Sequence, residues 1–408
     1  MLRSLQERAR AVATPRGWFL VGLVYLTAML LNTRRVWHFG PDSRFYLAWA
    51  YHYGGLSEQD AGRLTYEYLN GFAWFGPYCY YACDTSDPSL SYGWLFRGEE
   101  GGMVAPRVLY PLLSAPFVRL WGPTGMLVVP LLAYTAVVVM VMVLASRYMG
   151  PRWSPLAGLA IVMPISITAF GLYAYTEALA MALCLACVLT LPLRRTTGRR
   201  DVILFAVFLV LFAFTKQFHP IVVAGVGAAW LGAALEERRV RNAWLPFLAT
   251  GVVLTSVVAY VQSFMSTGYS VFAWFLEASG AHTVAGIPGA LPGVLRTVVV
   301  GEVFTAGRDF GLVVMSVLAA CGLVWRFRDR LSQFTLGLIG GTIVVQSLNT
   351  TPSQNRYWVM TIAVLAVVAT VFVADLFTRP ARAPAARQPE PEAVAEPDGV
   401  REPYPIPR

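Results

Sequence analysis

An all-α, polytopic transmembrane bundle is the fold class this sequence predicts, and three observations predict it. Hydrophobic residues fill 56% of the 408 positions and charged residues only 13%. Apolar runs near the roughly 20 residues that cross a bilayer recur from Trp18 almost to the C-terminus. The arginines fall in short clusters between those runs, the pattern that orients a membrane protein.

The first run, 17–33, follows a basic start (Arg3, Arg8, Arg10, Arg16) with no small-residue cleavage site, so it reads as an uncleaved first span. Further spans fit near 123–146, 154–170, 177–192, 201–216, 219–235, 243–265, 309–326, 332–349 and 357–377, about ten in all. With the N-terminus inside, the cytoplasmic connections carry Arg147 and Arg152, Arg194 to Arg200, Arg238 to Arg241, and Arg326 to Arg330. Arg379 and Arg382 open the tail, whereas the short outer turns hold only Lys216 and Arg356. That bias places both termini in the cytoplasm.

Residues 1–378 form the membrane-embedded domain, and two of its outer segments are too long for plain connectors. The first, 34–122, begins with Asp42, then an amphipathic stretch at 42–53 that suits a helix lying on the membrane. It continues through many aromatics to the apolar stretch 107–121, whose Pro111 and Pro116 suggest a re-entrant or surface-lying helix. The second, 266–308, mixes Gly and Pro with apolar residues and would form a flap over a cavity. Residues 379–408, rich in Pro, Ala, Glu and Arg, read as a disordered cytoplasmic tail.

Cys184, Cys187 and Cys321 lie in apolar runs as small core residues, and no zinc spacing occurs. Cys79 and Cys83 lie in the first outer segment, where a disulfide is permitted and stays an open alternative. The net charge of +9 reflects the arginine clusters. No basic stripe with interleaved aromatics marks a nucleic-acid surface, so nucleic acid is excluded as a partner.

The residues that could carry chemistry gather at the outer ends of the helices. Asp42 follows the first span, Glu177 opens the fourth after Tyr175, Lys216 and His219 flank a turn, Arg356 opens the last, and Arg107 heads the apolar stretch. Each has a plain alternative. Asp42 could cap a helix, Glu177 could cap or be hydrated, Lys216 could snorkel, His219 could be a turn residue, and Arg356 an interfacial anchor. Their shared face is what points to function, because ionisable groups there are costly unless paired or solvated. A carboxylate can take a proton from an attacking hydroxyl, and cations can neutralise a phosphate leaving group. Outer-loop aromatics such as Tyr66, Trp74, Trp94 and Trp274 could stack on sugars or simply form an interface belt.

The order of these motifs resembles the integral-membrane glycosyltransferases of the GT-C fold class. Pro41-Asp42-Ser43-Arg44-Phe45-Tyr46, Arg107-Val108-Leu109-Tyr110-Pro111, Thr176-Glu177 and Asn355-Arg356-Tyr357 carry the resemblance, across most of 17–378. It implies inverting transfer of a sugar from a polyprenyl-phosphate donor to an acceptor hydroxyl of a lipid or glycan, at the extracytoplasmic face of a bacterial cytoplasmic membrane. Asp42 would be the base, Arg107, Lys216, His219 and Arg356 would hold the donor phosphate, and Glu177 and Tyr175 would contact substrate. Many relatives carry paired acids where Ser43 follows Asp42, which leaves a divalent metal open, and many carry a large soluble domain where this chain has a short tail. The rival readings are a transporter or lipid flippase, which would place polar residues near mid-bilayer, and an inactive lipid-binding scaffold of the same fold.

Overall fold

The computed structural model describes residues 2–33, 38–70, 92, 94–97, 99–266, 271–350, 353 and 355–378. The Cys79–Cys83 pairing, most of the aromatic outer loop and the tail lie outside them. Among the described residues every regular element is a helix, so the all-α class stands. Five helices are long and apolar enough to cross a membrane: Leu109–Trp153, Pro220–Glu237, Leu245–Met265, Val284–Gly307 and Val359–Thr378. Glu177–Thr190 and Phe310–Trp325 are apolar but shorter. Together they mark a helical membrane protein.

The helices that frame the argument are α1 (Pro15–Thr33), α2 (Ser43–Tyr53), α3 (Leu109–Trp121), α4 (Val128–Trp153), α5 (Glu177–Thr190) and α6 (Arg199–Thr215). They continue with α7 (Pro220–Glu237), α8 (Leu245–Met265), α9 (Ile287–Gly307), α10 (Phe310–Trp325), α11 (Arg330–Ser347) and α12 (Val359–Thr378). Helix α12 is the central post: every residue from 359 to 371 is buried, and α4, α5 and α10 pack around it. Lipid is as apolar as a leucine side chain, so close packing rather than water exclusion must hold such helices together. The α7–α11 pair shows how. A β-carbon at Gly337 would fall 2.5 Å from the Ala224 carbonyl oxygen, and one at Gly225 would fall 2.7 Å from the Phe334 ring. Glycine at both positions lets the backbones meet.

Charge separates the two ends of α12. Near its C-terminus Asp375 accepts from both Arg326 Nε (2.6 Å) and Nη2 (2.5 Å). Arg194 pairs with Asp329 at 3.4 Å, Arg330 with Glu236 at 2.5 Å, and Arg195 with Asp201, all from the arginine-rich connections. Arg356 stands at the opposite end, just before α12, with Asp42 and Glu177.

Two stretches differ in detail from the sequence reading, and a third forms the helix expected of it. The span expected at 154–170 breaks into Pro155–Val162, Ile165–Thr168 and a 3-10 turn at Ala169–Gly171. Pro164 is extended (ψ 111°), and an eight-residue helix rises only about 12 Å, less than half a bilayer core. Segment 266–308, read as a flap, contains α9, which with the 3-10 turn before it is long enough to span. From Val294 to Glu302 it meets the last turns of α11, from Ile343 to Ser347, and α9 also packs on α10. The stretch 107–121 forms α3, which packs on α2 through the edge-on Tyr46–Tyr110 pair (centroids 5.3 Å apart) and ends at Gly122 with φ 67°.

Candidate functional site

The site is built by stitching the loop before α2 onto the loop before α5. Ala174 N–H donates to the His38 carbonyl (2.8 Å), Ser43 Oγ donates to the Ala174 carbonyl (3.0 Å), and Gly40 N–H donates to Ser43 Oγ (3.1 Å). These bonds set Asp42 beside Glu177. The approach is close enough that a β-carbon at Gly40 would fall 1.8 Å from the Tyr175 hydroxyl. Gly40→Ala is therefore expected to cost about 1–3 kcal/mol by overpacking. Gly22→Ala, where nothing lies within 4 Å, should cost nothing measurable. Thermal unfolding of the two variants in detergent checks this difference.

Asp42 occupies the N-cap position of α2, yet its side chain makes no capping hydrogen bond. Instead Oδ2 accepts from Arg356 Nη2 at 2.7 Å and lies 4.0 Å from Arg107 Nη1. Glu177 likewise opens α5 and turns away from a simple cap. Its Oε1 accepts from Lys216 Nζ and from Arg356 Nε, each at 2.8 Å. One guanidinium thus bridges two carboxylates, a task suited to arginine's planar fork. The Tyr175 ring lies against the other side of that guanidinium, 4.4 Å from centroid to Cζ. Lys216 sits over the rings of Phe218 (5.0 Å) and Tyr357 (5.1 Å). Arg107 Nη1 donates to the Tyr46 hydroxyl at 3.0 Å, while its buried Nε has no hydrogen-bond partner among the described residues.

Depth makes these contacts matter. The Glu177 and Lys216 side chains are 0% and 2% exposed, and an unpaired charge there would be costly. Asp42, Glu177, Arg107, Lys216 and Arg356 amount to three cations against two carboxylates. Among the described residues the cluster carries one surplus positive charge and an unused guanidinium donor.

Burial alone would raise the Asp42 carboxyl; Arg356, then Arg107, more than offset it and hold it at about 2. A folded-state value below the ordinary ~3.9 means this pairing stabilises the fold fully above about pH 4. The contribution is lost as pH falls through about 2. Unfolding followed from pH 4 to 2 should accordingly fall more steeply for wild type than for Asp42→Asn.

The structure brings together Asp42, Glu177, Tyr175, Lys216, Arg356 and Arg107 from five separate stretches. It does not bring in His219, which is buried with its ring beside the Thr255 backbone of α8. Tyr46 and Tyr357 join the cluster without having been singled out. Glu302 stays outside it but binds the turn before Arg356, a contact not foreseen either. An acid in the apolar run 287–307 was the available signal, since such a residue is costly unless partnered. No family model, curated protein or solved structure matches this chain.

Proposed function

We propose that the chain is an inverting membrane glycosyltransferase that takes a sugar from a polyprenyl-phosphate donor and passes it to an extracytoplasmic acceptor hydroxyl. The observation that carries this reading is the surplus, partly buried positive charge beside a carboxylate among the described residues. An anion would balance that charge, and Arg107 Nε offers it an unsatisfied donor.

In the proposed step the acceptor hydroxyl gives its proton to Asp42 as its oxygen attacks the anomeric carbon. The bond from that carbon to the phosphate oxygen breaks, and the phosphate leaves with the electron pair. Arg356, Lys216 and Arg107 neutralise it. A carboxylate held at about 2 is a weak base. A phosphate that draws Arg356 to itself would remove that restraint, so donor binding strengthens the base. Glu177 keeps Lys216 and Arg356 oriented, and Tyr175 stacks on Arg356 within reach of substrate.

The proposed topology has about ten spans with both termini cytoplasmic. The paired arginines at the far end of α12 support it, because they come from the connections expected inside. Asp42 and Glu177 already accept from cations, so a divalent ion here would have to displace Arg356.

Binding of a radiolabelled polyprenyl phosphate to the protein in nanodiscs tests the anion site. Saturable binding that competes with inorganic phosphate is expected. Binding no greater than to empty nanodiscs would overturn the proposal.

A further inference from the structure

Glu302 lies in α9, away from the cluster, yet it commands the turn that presents Arg356. Its Oε1 accepts from Gln346 Nε2 (2.6 Å), from Ser353 Oγ (2.8 Å) and from the Ser353 backbone N–H. Its Oε2 accepts from the Asn355 backbone N–H at 2.7 Å. The carboxylate is buried, and an ionised carboxylate accepts several neutral donors well. Two backbone N–H groups, at Ser353 and Asn355, are thereby fixed on either side of one residue.

The turn between them has a demanding shape. Asn355 takes a left-handed backbone with φ 66°, which asparagine tolerates better than most residues. Arg356 N–H donates to the Ser353 carbonyl (3.1 Å) and Trp358 N–H to the Asn355 carbonyl (3.0 Å), which passes the chain into α12. Ser353 Oγ also accepts from Tyr357 N–H at 3.3 Å. A second strut reinforces the first: Gln346, held by Glu302, accepts from Trp358 Nε1. The backbone just before Arg356 is tied directly to one carboxylate in another segment, and the Trp358 side chain just after it is tied to the same carboxylate through Gln346.

We infer that Glu302 is a positioning residue, whose carboxylate holds the 353–356 turn so that the Arg356 guanidinium meets Asp42 and Glu177. It makes α9, which meets the last turn of α11 through Gln346, a support of the site. The role in sugar transfer rests on the proposed function. The clamp itself does not, and its test needs no substrate.

The test is the rate at which phenylglyoxal modifies Arg356 in the nanodisc-embedded protein, read by peptide mass spectrometry. Arg326, paired with Asp375 at the far end of α12, is the internal reference. In wild type Arg356 should react slowly, shielded by two carboxylates. In Glu302→Ala its rate should rise by about five-fold or more, as loss of even one modest interaction implies, with Arg326 unchanged. Glu302→Gln keeps one acceptor oxygen but sets an amide N–H against the Asn355 N–H, so it should fall between the two. An unchanged Arg356 rate in Glu302→Ala would overturn the inference, and so would an equal rise at Arg326, the mark of general loosening. Faster labelling of Arg356 in the variant, with no sugar transfer by wild type, would sustain the clamp and sink the transferase reading alone.

Discussion

Replacing Arg356 by alanine should destabilise the protein by about 3–5 kcal/mol, the usual result of removing one member of a buried ion pair. It should also remove saturable binding of polyprenyl phosphate. Both effects follow from the geometry. The guanidinium donates to Asp42 at 2.7 Å and to Glu177 at 2.8 Å, so its loss sets two carboxylates against each other with Lys216 and Arg107 left to offset them. The cluster then changes from a surplus of one positive charge to neutrality, and the attraction for an anion goes with it. Arg356→Lys sharpens the point. An ammonium keeps the charge but cannot make the planar two-sided bridge. Its stability should lie between the other two, and its anion binding should be weakened rather than lost. Unfolding in detergent and binding in nanodiscs measure the two effects separately.

Asp42→Asn should show opposite signs in binding and in turnover. The amide oxygen still accepts from Arg356, so the local structure survives. It cannot take a proton, and transfer should fall by about 10²–10⁴, the scale of general-base catalysis. Removing the carboxylate raises the surplus charge by one and frees Arg356 from its strongest competitor for a phosphate. Binding of polyprenyl phosphate should therefore tighten in the same variant that loses transfer. A purely structural role for Asp42 would weaken both together.

How much of this was legible in the sequence follows from which interactions are local. The helical class came from the apolar runs, and the sorting of charge to two ends came from counting the arginines between them. That sorting was enough to nominate Asp42, Glu177, Lys216 and Arg356, because residues at the same end of neighbouring helices have few places to go. The break at Met163-Pro164 was visible as a proline, but averaging hydropathy over 154–170 ran across it. Glu302 was harder. It sits in a segment read as a flap, and its partners Gln346, Ser353 and Asn355 lie more than 40 residues away. Local periodicity carries no information about such a meeting. Lys216 shows the opposite case: snorkelling was its plain alternative as the chain's single lysine beside an apolar run, and the structure instead pairs it with Glu177, fully buried. His219 shares a turn with Lys216, and three residues along the chain turn its ring from the cluster to α8.

The central claim is a chemical one, and product formation tests it most directly. Purified protein in nanodiscs would be incubated with a panel of radiolabelled polyprenyl-phosphate sugars and a membrane-lipid extract, beside Asp42→Asn. The expected result is label in a new product with wild type and one donor, reduced at least a hundred-fold or so in the variant. Transfer at comparable rates by both proteins would contradict Asp42 as the base. Absence of transfer from every donor, with labelled lipid instead crossing the bilayer, would replace the transferase reading with transport.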